Sequence, residues 1–146
     1  MSVNILKEYI RELILKENKK RAAGFVVVKE FPEGLKILAL ITEKGYDIPK
    51  GIIEPGESEF DAATREMYEE SGITDIQLRW GSEPYVNERI TAFLAHTDQE
   101  PEILPNPETG ILEHLGATWV DWDEMLCNCY GYLTPAIQWA KDSIDY

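Results

Sequence analysis

Three glutamates lie close together in one short stretch of the chain. Residues 65–70 read REMYEE, so Glu66, Glu69 and Glu70 fall at positions i, i+3 and i+4. On a helix this spacing brings all three carboxylates to one side, where they repel one another. An ordinary solvated helix face would offset that repulsion with lysines, and this predicted helix has none. Clustered hard oxygen ligands suit Mg²⁺ or Mn²⁺, which also bind phosphates, so the pattern predicts a divalent metal site.

Residues on either side of the cluster are expected to hold it in place. Arg65 precedes the glutamates directly, and its side chain could reach Glu57 in the preceding loop. A bidentate pair between them would tie the loop to the helix. Gly51 lets backbone come close to an ion or a phosphate, and Gly72 can take the left-handed conformation that ends a helix.

The stretch from residue 51 to residue 73 resembles the Nudix box, whose pattern is G-x5-E-x7-R-E-U-x-E-E-x-G-U, with U an aliphatic residue. Every position of the pattern is met, by Gly51, Glu57, Arg65, Glu66, Met67, Glu69, Glu70, Gly72 and Ile73. The resemblance implies a Nudix-type α/β/α sandwich and hydrolysis of a nucleoside diphosphate linked to another moiety, assisted by Mg²⁺ or Mn²⁺. It implies metal ligands at the Gly51 carbonyl, Glu66, Glu69 and Glu70.

The resemblance gives supporting catalytic roles to Glu57 and Arg65, which would orient the metal ligands. A general base is also required, and the family is not uniform about where this residue lies. Glu66 is one candidate, and a glutamate from a distant loop is the other.

Two further stretches resemble dinucleoside tetraphosphate hydrolases of the same family. Residues 48–57, IPKGIIEPGE, are similar to the entry into the box in those enzymes, which implies that Lys50 faces the polyphosphate. Residues 112–119, LEHLGATW, are similar to a segment that begins H-E-H, although Leu112 replaces the first histidine. Glu113 is therefore a candidate for the general base or an extra metal ligand. For His114, substrate binding and a structural hydrogen-bonding role both stay open.

Recognition of a base needs aromatic surface, and two aromatic positions of the subfamily fall on Ala92 and Ala117. Other aromatic residues could stack a base instead, with core packing as the alternative for each. The candidate substrate-binding residues are Lys50, Tyr85, Arg89, His114 and Tyr132.

Other branches of the family stay open as alternatives. They are a house-cleaning nucleoside triphosphatase, an ADP-ribose hydrolase and an RNA 5′-pyrophosphohydrolase. From a different class, a non-catalytic nucleotide-sensing module would usually lose glutamates of the box, all of which this chain keeps.

Composition and charge restrict the partners. The net charge is −13, from 27 acidic and 14 basic residues, which argues against broad binding to nucleic acid. A phosphorylated small molecule is compatible if a metal supplies local positive charge. No apolar stretch approaches the roughly 20 residues that cross a bilayer, and no signal peptide is recognisable. We therefore expect a cytoplasmic protein with a small nucleotide as its substrate.

Secondary-structure patterns predict an α/β fold with a mixed central sheet. Strands are predicted over residues 22–29, 35–41, 75–80, 88–97 and 117–121. Helices are predicted over residues 3–17, from the N-cap Ser58 to about 71, 123–129 and 134–144, and loops over 46–56 and 98–110. Residues 22–146 are predicted to form the Nudix domain. The amphipathic N-terminal helix, within residues 1–21, would pack on the sheet or a second copy in a homodimer, or dock a partner.

Overall fold

The computed structural model of the protein describes residues 3, 5–10 and 21–145. Val3 and residues 5–10 are helical. The rest of the helix predicted over residues 3–17 lies outside the described residues.

A mixed seven-stranded sheet forms the centre of the structure. Its strands are β1 (Ala22–Phe31), β2 (Gly34–Thr42), β3 (Gly45–Asp47), β4 (Lys50–Ile52), β5 (Tyr85–Val86), β6 (Ile90–His96) and β7 (Gly116–Val120). The order is β3-β2-β1-β6-β5, with β4 paired to β1 and β7 paired to β2. Strands β1 and β6 run parallel and the other pairs are antiparallel. A strand that is buried on both faces has apolar residues at successive positions, and β1 accordingly has the sequence AAGFVVV.

Helices cover both faces of the sheet. They are α1 (Glu59–Ser71), α2 (Trp122–Asn128) and α3 (Thr134–Ile144), with a 3-10 turn at Gly131–Leu133. Ala63 and Met67 of α1 pack with Phe25 and Val27 of β1 in one apolar cluster. On the other face, residues of α2 and α3 pack with alternate residues of β1 in a second cluster. The predicted α/β sandwich with a mixed sheet is confirmed.

Local signals set the ends of α1. The Oγ of Ser58 accepts a hydrogen bond from the backbone N–H of Asp61 at 3.0 Å, which makes Ser58 the N-cap as predicted. At the other end Gly72 has φ +71°, and its N–H donates to the carbonyl of Tyr68. Glycine takes this left-handed conformation without the steric cost of a Cβ atom, so the helix stops there.

Two predicted elements differ from the structure. The strand predicted over residues 75–80 is wrong, because only Gln77 makes a bridge, to His96 at the end of β6. The Gly81 N–H closes a turn onto Leu78 O, and this ends the pairing after one residue. The loop predicted over residues 46–56 contains the short strands β3 and β4, which are held by pairing with β2 and β1 rather than by local pattern.

Candidate active site

The loop before α1 is tied to the helix by one arginine. Arg65 Nε donates to Glu57 Oε2 at 2.8 Å, and Arg65 Nη2 donates to Glu57 Oε1 at 3.0 Å. Arg65 Nη2 also donates to the carbonyl of Ile52 at 3.1 Å, which links the helix to β4. The predicted bidentate pair is therefore present. The Arg65 guanidinium lowers the pKa of Glu57 to about 2, so this carboxylate stays ionised.

Glu66, Glu69 and Glu70 of α1 line one pocket of about 450 Å³. Glu66 Oε1 accepts from Arg65 Nη1 at 2.8 Å, and Glu69 Oε2 lies 3.5 Å from the same nitrogen. Glu70 is the most buried of the three, with 8% of its side chain exposed, and its Oε1 accepts the Lys50 N–H at 2.7 Å. The residues of β4, together with Glu54 and Arg65, also line the pocket. Its other wall comes from the loop before β7, through Leu104, Asn106, Pro107, Glu108, Glu113 and His114.

Gly51 lies directly against the carboxylate of Glu66. A Cβ atom at this position would collide with the Glu66 carboxylate. The backbone of β4 therefore lies close to the Glu66 carboxylate at this position. This contact is the structural reason for a glycine at the start of the motif.

These residues fit a divalent metal by donor chemistry. Carboxylates and a backbone carbonyl are the ligands that hard cations take, and the Gly51 backbone faces Glu66. Within the part of the chain that the structure describes, however, no group of three or more acidic, histidine or cysteine side chains is placed so that it could hold a metal ion. Arg65 holds Glu66 and is near Glu69, while Glu70 faces the Lys50 backbone. The carboxylates share the pocket, and side-chain rotation is needed for them to converge.

Burial and neighbouring charge favour the protonated form of Glu70. Burial in the protein, together with the negative charges of Asp47 and Glu66, raises its pKa to about 9. Burial also raises the pKa of Glu66, although Arg65 acts in the opposite direction. A carboxyl group that is costly to ionise alone is stabilised as an anion when a divalent cation binds beside it.

His114 is buried beneath the pocket between two carboxyl groups. Its Nε2 lies 3.3 Å from Asp47 Oδ2, and its Nδ1 lies 3.4 Å from Glu70 Oε2. Only 6% of the residue is exposed. Of the two roles left open by the sequence, these contacts favour the structural hydrogen-bonding one.

Glu113 lies on the rim of the same pocket, opposite α1. Its Oε1 accepts a hydrogen bond from Asn106 Nδ2 at 2.6 Å, which fixes the loop around it. It is close enough to Glu66 for its charge to help raise the Glu66 pKa. The structure thus brings a glutamate from a distant loop to the acidic cluster.

Lys50, Arg89 and Tyr132 lie together beside the pocket. The Arg89 guanidinium stacks 4.1 Å from the centre of the Tyr132 ring, and Lys50 Nζ lies 5.5 Å from that centre. The Lys50 ammonium is also 3.3 Å from Asp47 Oδ1. Tyr85 lies apart from this group, in a shallow groove where its ring is 6.1 Å from that of Trp139.

Two residues of the site were missed by the sequence reasoning. Asp47 is buried and contacts both Lys50 and His114. Gly24 of β1 leaves no room for a Cβ atom against the backbone at Pro49 and Lys50, so it sets how closely β4 approaches β1. An aspartate directly before I48-P-K was visible in the sequence, but no spacing rule connects it with the glutamates.

A family model described as the NUDIX domain matches residues 13–143. The chain therefore belongs to the NUDIX domain family, and it is an enzyme of the class that acts on phosphorus-containing anhydrides. Members of this class generally use a divalent metal. A search of curated proteins gave no match.

Solved structures of Nudix hydrolases share the fold. An Ap4A hydrolase from C. elegans, in a binary complex, is 21% identical with a TM-score of 0.68, over 85% of this chain and 98% of that one. A MutT protein from Methanosarcina mazei Go1 is 18% identical with a TM-score of 0.56, over 88% of this chain and 98% of that one. The E. coli dihydroneopterin triphosphate pyrophosphohydrolase is 18% identical with a TM-score of 0.58, over the same shares. At these identities the likeness shows the fold.

None of the helices within residues 5–10 and 21–145 is long and apolar enough to cross a bilayer.

Proposed function

We propose that the protein is a Mg²⁺-dependent pyrophosphohydrolase that cleaves a nucleoside diphosphate linked to another moiety, and that its substrate is a dinucleoside polyphosphate such as Ap4A. The observation that carries the reaction class is the one pocket shared by Glu66, Glu69 and Glu70, with the Gly51 backbone against Glu66. Mn²⁺ would serve in place of Mg²⁺ because both prefer oxygen ligands.

Glu66, Glu69, Glu70 and the Gly51 carbonyl would hold the metal. When bound, it would neutralise phosphate charge and lower the pKa of a bound water. The Glu57–Arg65 pair keeps α1 and the preceding loop in fixed register, so that the ligands are positioned before substrate arrives. In the overall reaction water adds across a P–O–P bridge, the bridge breaks, and two phosphate ends and a proton result.

We assign the role of proton acceptor to Glu113. It lies on the pocket rim, and its Oε1 accepts from a neutral amide, Asn106. Glu66, the other candidate, accepts a hydrogen bond from the cationic Arg65, so its carboxylate is already engaged in an ion pair. Glu113 is therefore free to take a proton from the attacking water while Glu66 serves as a ligand.

Support for a dinucleoside polyphosphate comes from the side of the pocket where Lys50 and Arg89 lie over the Tyr132 ring. Two cations and an aromatic ring suit a long phosphate chain ending in a base. Tyr85 and Trp139 offer further aromatic surface for a second base. The resemblance of residues 48–57 to the box entry of dinucleoside tetraphosphate hydrolases points the same way. Basic residues are few on a chain of net charge −13, which disfavours RNA as the substrate because RNA binding needs basic residues to neutralise phosphates.

The experiment is a substrate panel with Mg²⁺ and identification of the products. Diadenosine tetraphosphate, ADP-ribose, single nucleoside triphosphates and 5′-triphosphorylated RNA are incubated with the wild-type protein. Glu70→Gln serves as the control for contaminating hydrolases. Cleavage of diadenosine tetraphosphate in preference to the others supports the proposal. If it survives while ADP-ribose or a nucleoside triphosphate is cleaved, the substrate assignment fails but the reaction class holds.

The remaining assignments are proposals from sequence. We propose a cytoplasmic protein whose hydrolase domain spans residues 22–146, with the N-terminal helix as a packing or docking element. Removal of residues 1–20 followed by measurement of molecular mass and activity tests this division. Loss of hydrolysis on truncation would contradict it.

A further inference from the structure

A closed ring of polar contacts lies directly beneath the acidic cluster. Asp47, the last residue of β3, is 5% exposed, and its Oδ1 accepts the Ile48 N–H at 2.8 Å. The same carboxylate lies 3.3 Å from Lys50 Nζ and 3.3 Å from His114 Nε2. His114 Nδ1 faces Glu70 Oε2 at 3.4 Å, and the Lys50 N–H donates to Glu70 Oε1 at 2.7 Å, which closes the ring.

We propose that Asp47 is a positioning residue of the active site, which fixes Lys50 and His114 and thereby orients Glu70 toward the metal. This inference rests on the metal-binding role proposed for Glu70. Asp47 lies outside the Nudix box, which begins four residues later at Gly51.

The ring explains why a charged group is kept at this depth. A buried ion pair gives little net stability, because desolvation offsets the attraction between the charges. Groups behind metal ligands, by contrast, hold those ligands in one orientation, and losing such a group usually weakens metal binding or activity by about 10- to 100-fold. Asp47 contacts the imidazole that faces Glu70 Oε2, and it also contacts the side chain of Lys50, whose backbone N–H donates to Glu70 Oε1. Its loss would therefore loosen the Glu70 carboxylate on the His114 side.

The test is Mn²⁺ binding measured by calorimetry without substrate, so that it does not depend on which nucleotide is cleaved. Asp47→Asn keeps the acceptor for the Ile48 N–H and removes the charge. We expect it to raise the Kd for Mn²⁺ by about tenfold or more. The matched control is Asp121→Asn, which breaks an exposed pair with Lys36 at 3.8 Å and should leave the Kd unchanged. Glu70→Gln is the reference for loss of a ligand.

A second variant separates positioning from folding. His114→Gln should also weaken Mn²⁺ binding, and combining it with Asp47→Asn should add little, because both changes open the same ring. If Asp47→Asn does not fold, His114→Gln alone decides the question. A purely structural role would lower the unfolding temperature without changing the Mn²⁺ affinity of the folded protein.

The outcomes distinguish this inference from the proposed function. Normal Mn²⁺ affinity in Asp47→Asn, or in His114→Gln, with weakened affinity in Glu70→Gln, overturns the positioning role alone. Fully additive losses in the double variant overturn it as well. Normal affinity in Glu70→Gln overturns both the metal site and the role assigned to Asp47.

Discussion

Replacing Glu70 with glutamine is expected to abolish activity and to stabilise the metal-free protein. Burial and the nearby acidic groups raise the pKa of Glu70 from 4.5 to about 9 in the folded state. At pH 7 this carboxyl group is therefore ionised in the unfolded chain and protonated in the folded one. Taking up that proton at pH 7 costs about 3 kcal/mol, from roughly 2.5 pH units at 1.36 kcal/mol each.

Glutamine is neutral at every pH, and its side-chain oxygen can keep the bond from the Lys50 N–H. Glu70→Gln should therefore gain up to about 3 kcal/mol at pH 7, which corresponds to roughly 6–12 °C in unfolding temperature for a domain of this size. Between pH 4.5 and about 9 the folded wild type binds more protons than the unfolded chain, so its stability falls as pH rises. The variant lacks this dependence, and the two proteins should converge below pH 4.5.

The assay is denaturant unfolding in excess chelator at pH 5 and pH 8, followed by repetition with Mg²⁺. The wild type should regain stability when the metal binds, and the variant should regain much less. Hydrolysis by the variant should fall by orders of magnitude. Glu69→Gln is the matched control, because its side chain is 28% exposed and its neutralisation should change metal-free stability little. A Glu70→Gln protein that is less stable than wild type in chelator at pH 8, or that hydrolyses at a normal rate, would refute the reasoning.

The other predictions concern neighbouring positions. Gly51→Ala should raise the Kd for Mn²⁺, measured by calorimetry, at least about tenfold, because the new Cβ displaces the Glu66 carboxylate. The unfolding temperature should change little, because this Cβ meets only the flexible end of Glu66. Gly24→Ala should instead lower the unfolding temperature, since its Cβ would meet the backbone at β4; equal stability would contradict the close approach. Wild-type stability in urea should fall as the pH drops from 4.5 toward about 2, where Glu57 loses its charge. Glu57→Gln should lose less stability over the same range, and an equal loss in the two proteins would contradict the role of this pair. Glu113→Gln should lower kcat by about 10²- to 10⁴-fold and keep near-normal Mn²⁺ affinity, whereas a loss of affinity would make it a ligand.

The parts of the fold and site that follow local periodicity could be predicted from sequence. Glu66, Glu69 and Glu70 lie on one face of α1 because helical spacing fixes it, and the N-cap and the C-terminal glycine mark the ends of that helix. The pair between Arg65 and Glu57 also follows from spacing, since both residues belong to one loop–helix unit.

The parts that depend on distant pairing could not be predicted. The ring around Asp47 joins β3, β4, α1 and the loop before β7, and no local sequence pattern predicts that these four segments come into contact. The segment 75–80 alternates apolar and polar residues like a strand, yet a turn ends its pairing at Gln77. Side-chain rotamers cannot be predicted from sequence, so the sequence predicts that Glu66, Glu69 and Glu70 share one pocket but not how their side chains are oriented.

The most direct test is hydrolysis of diadenosine tetraphosphate by the wild type and by Glu70→Gln, with Mg²⁺ titrated from zero. We expect two nucleotide products that form only when Mg²⁺ is present, and we expect turnover to be lost in the variant although it is at least as stable as the wild type. Cleavage that persists in chelator, or equal rates in the two proteins, would contradict a metal site at the glutamates of α1.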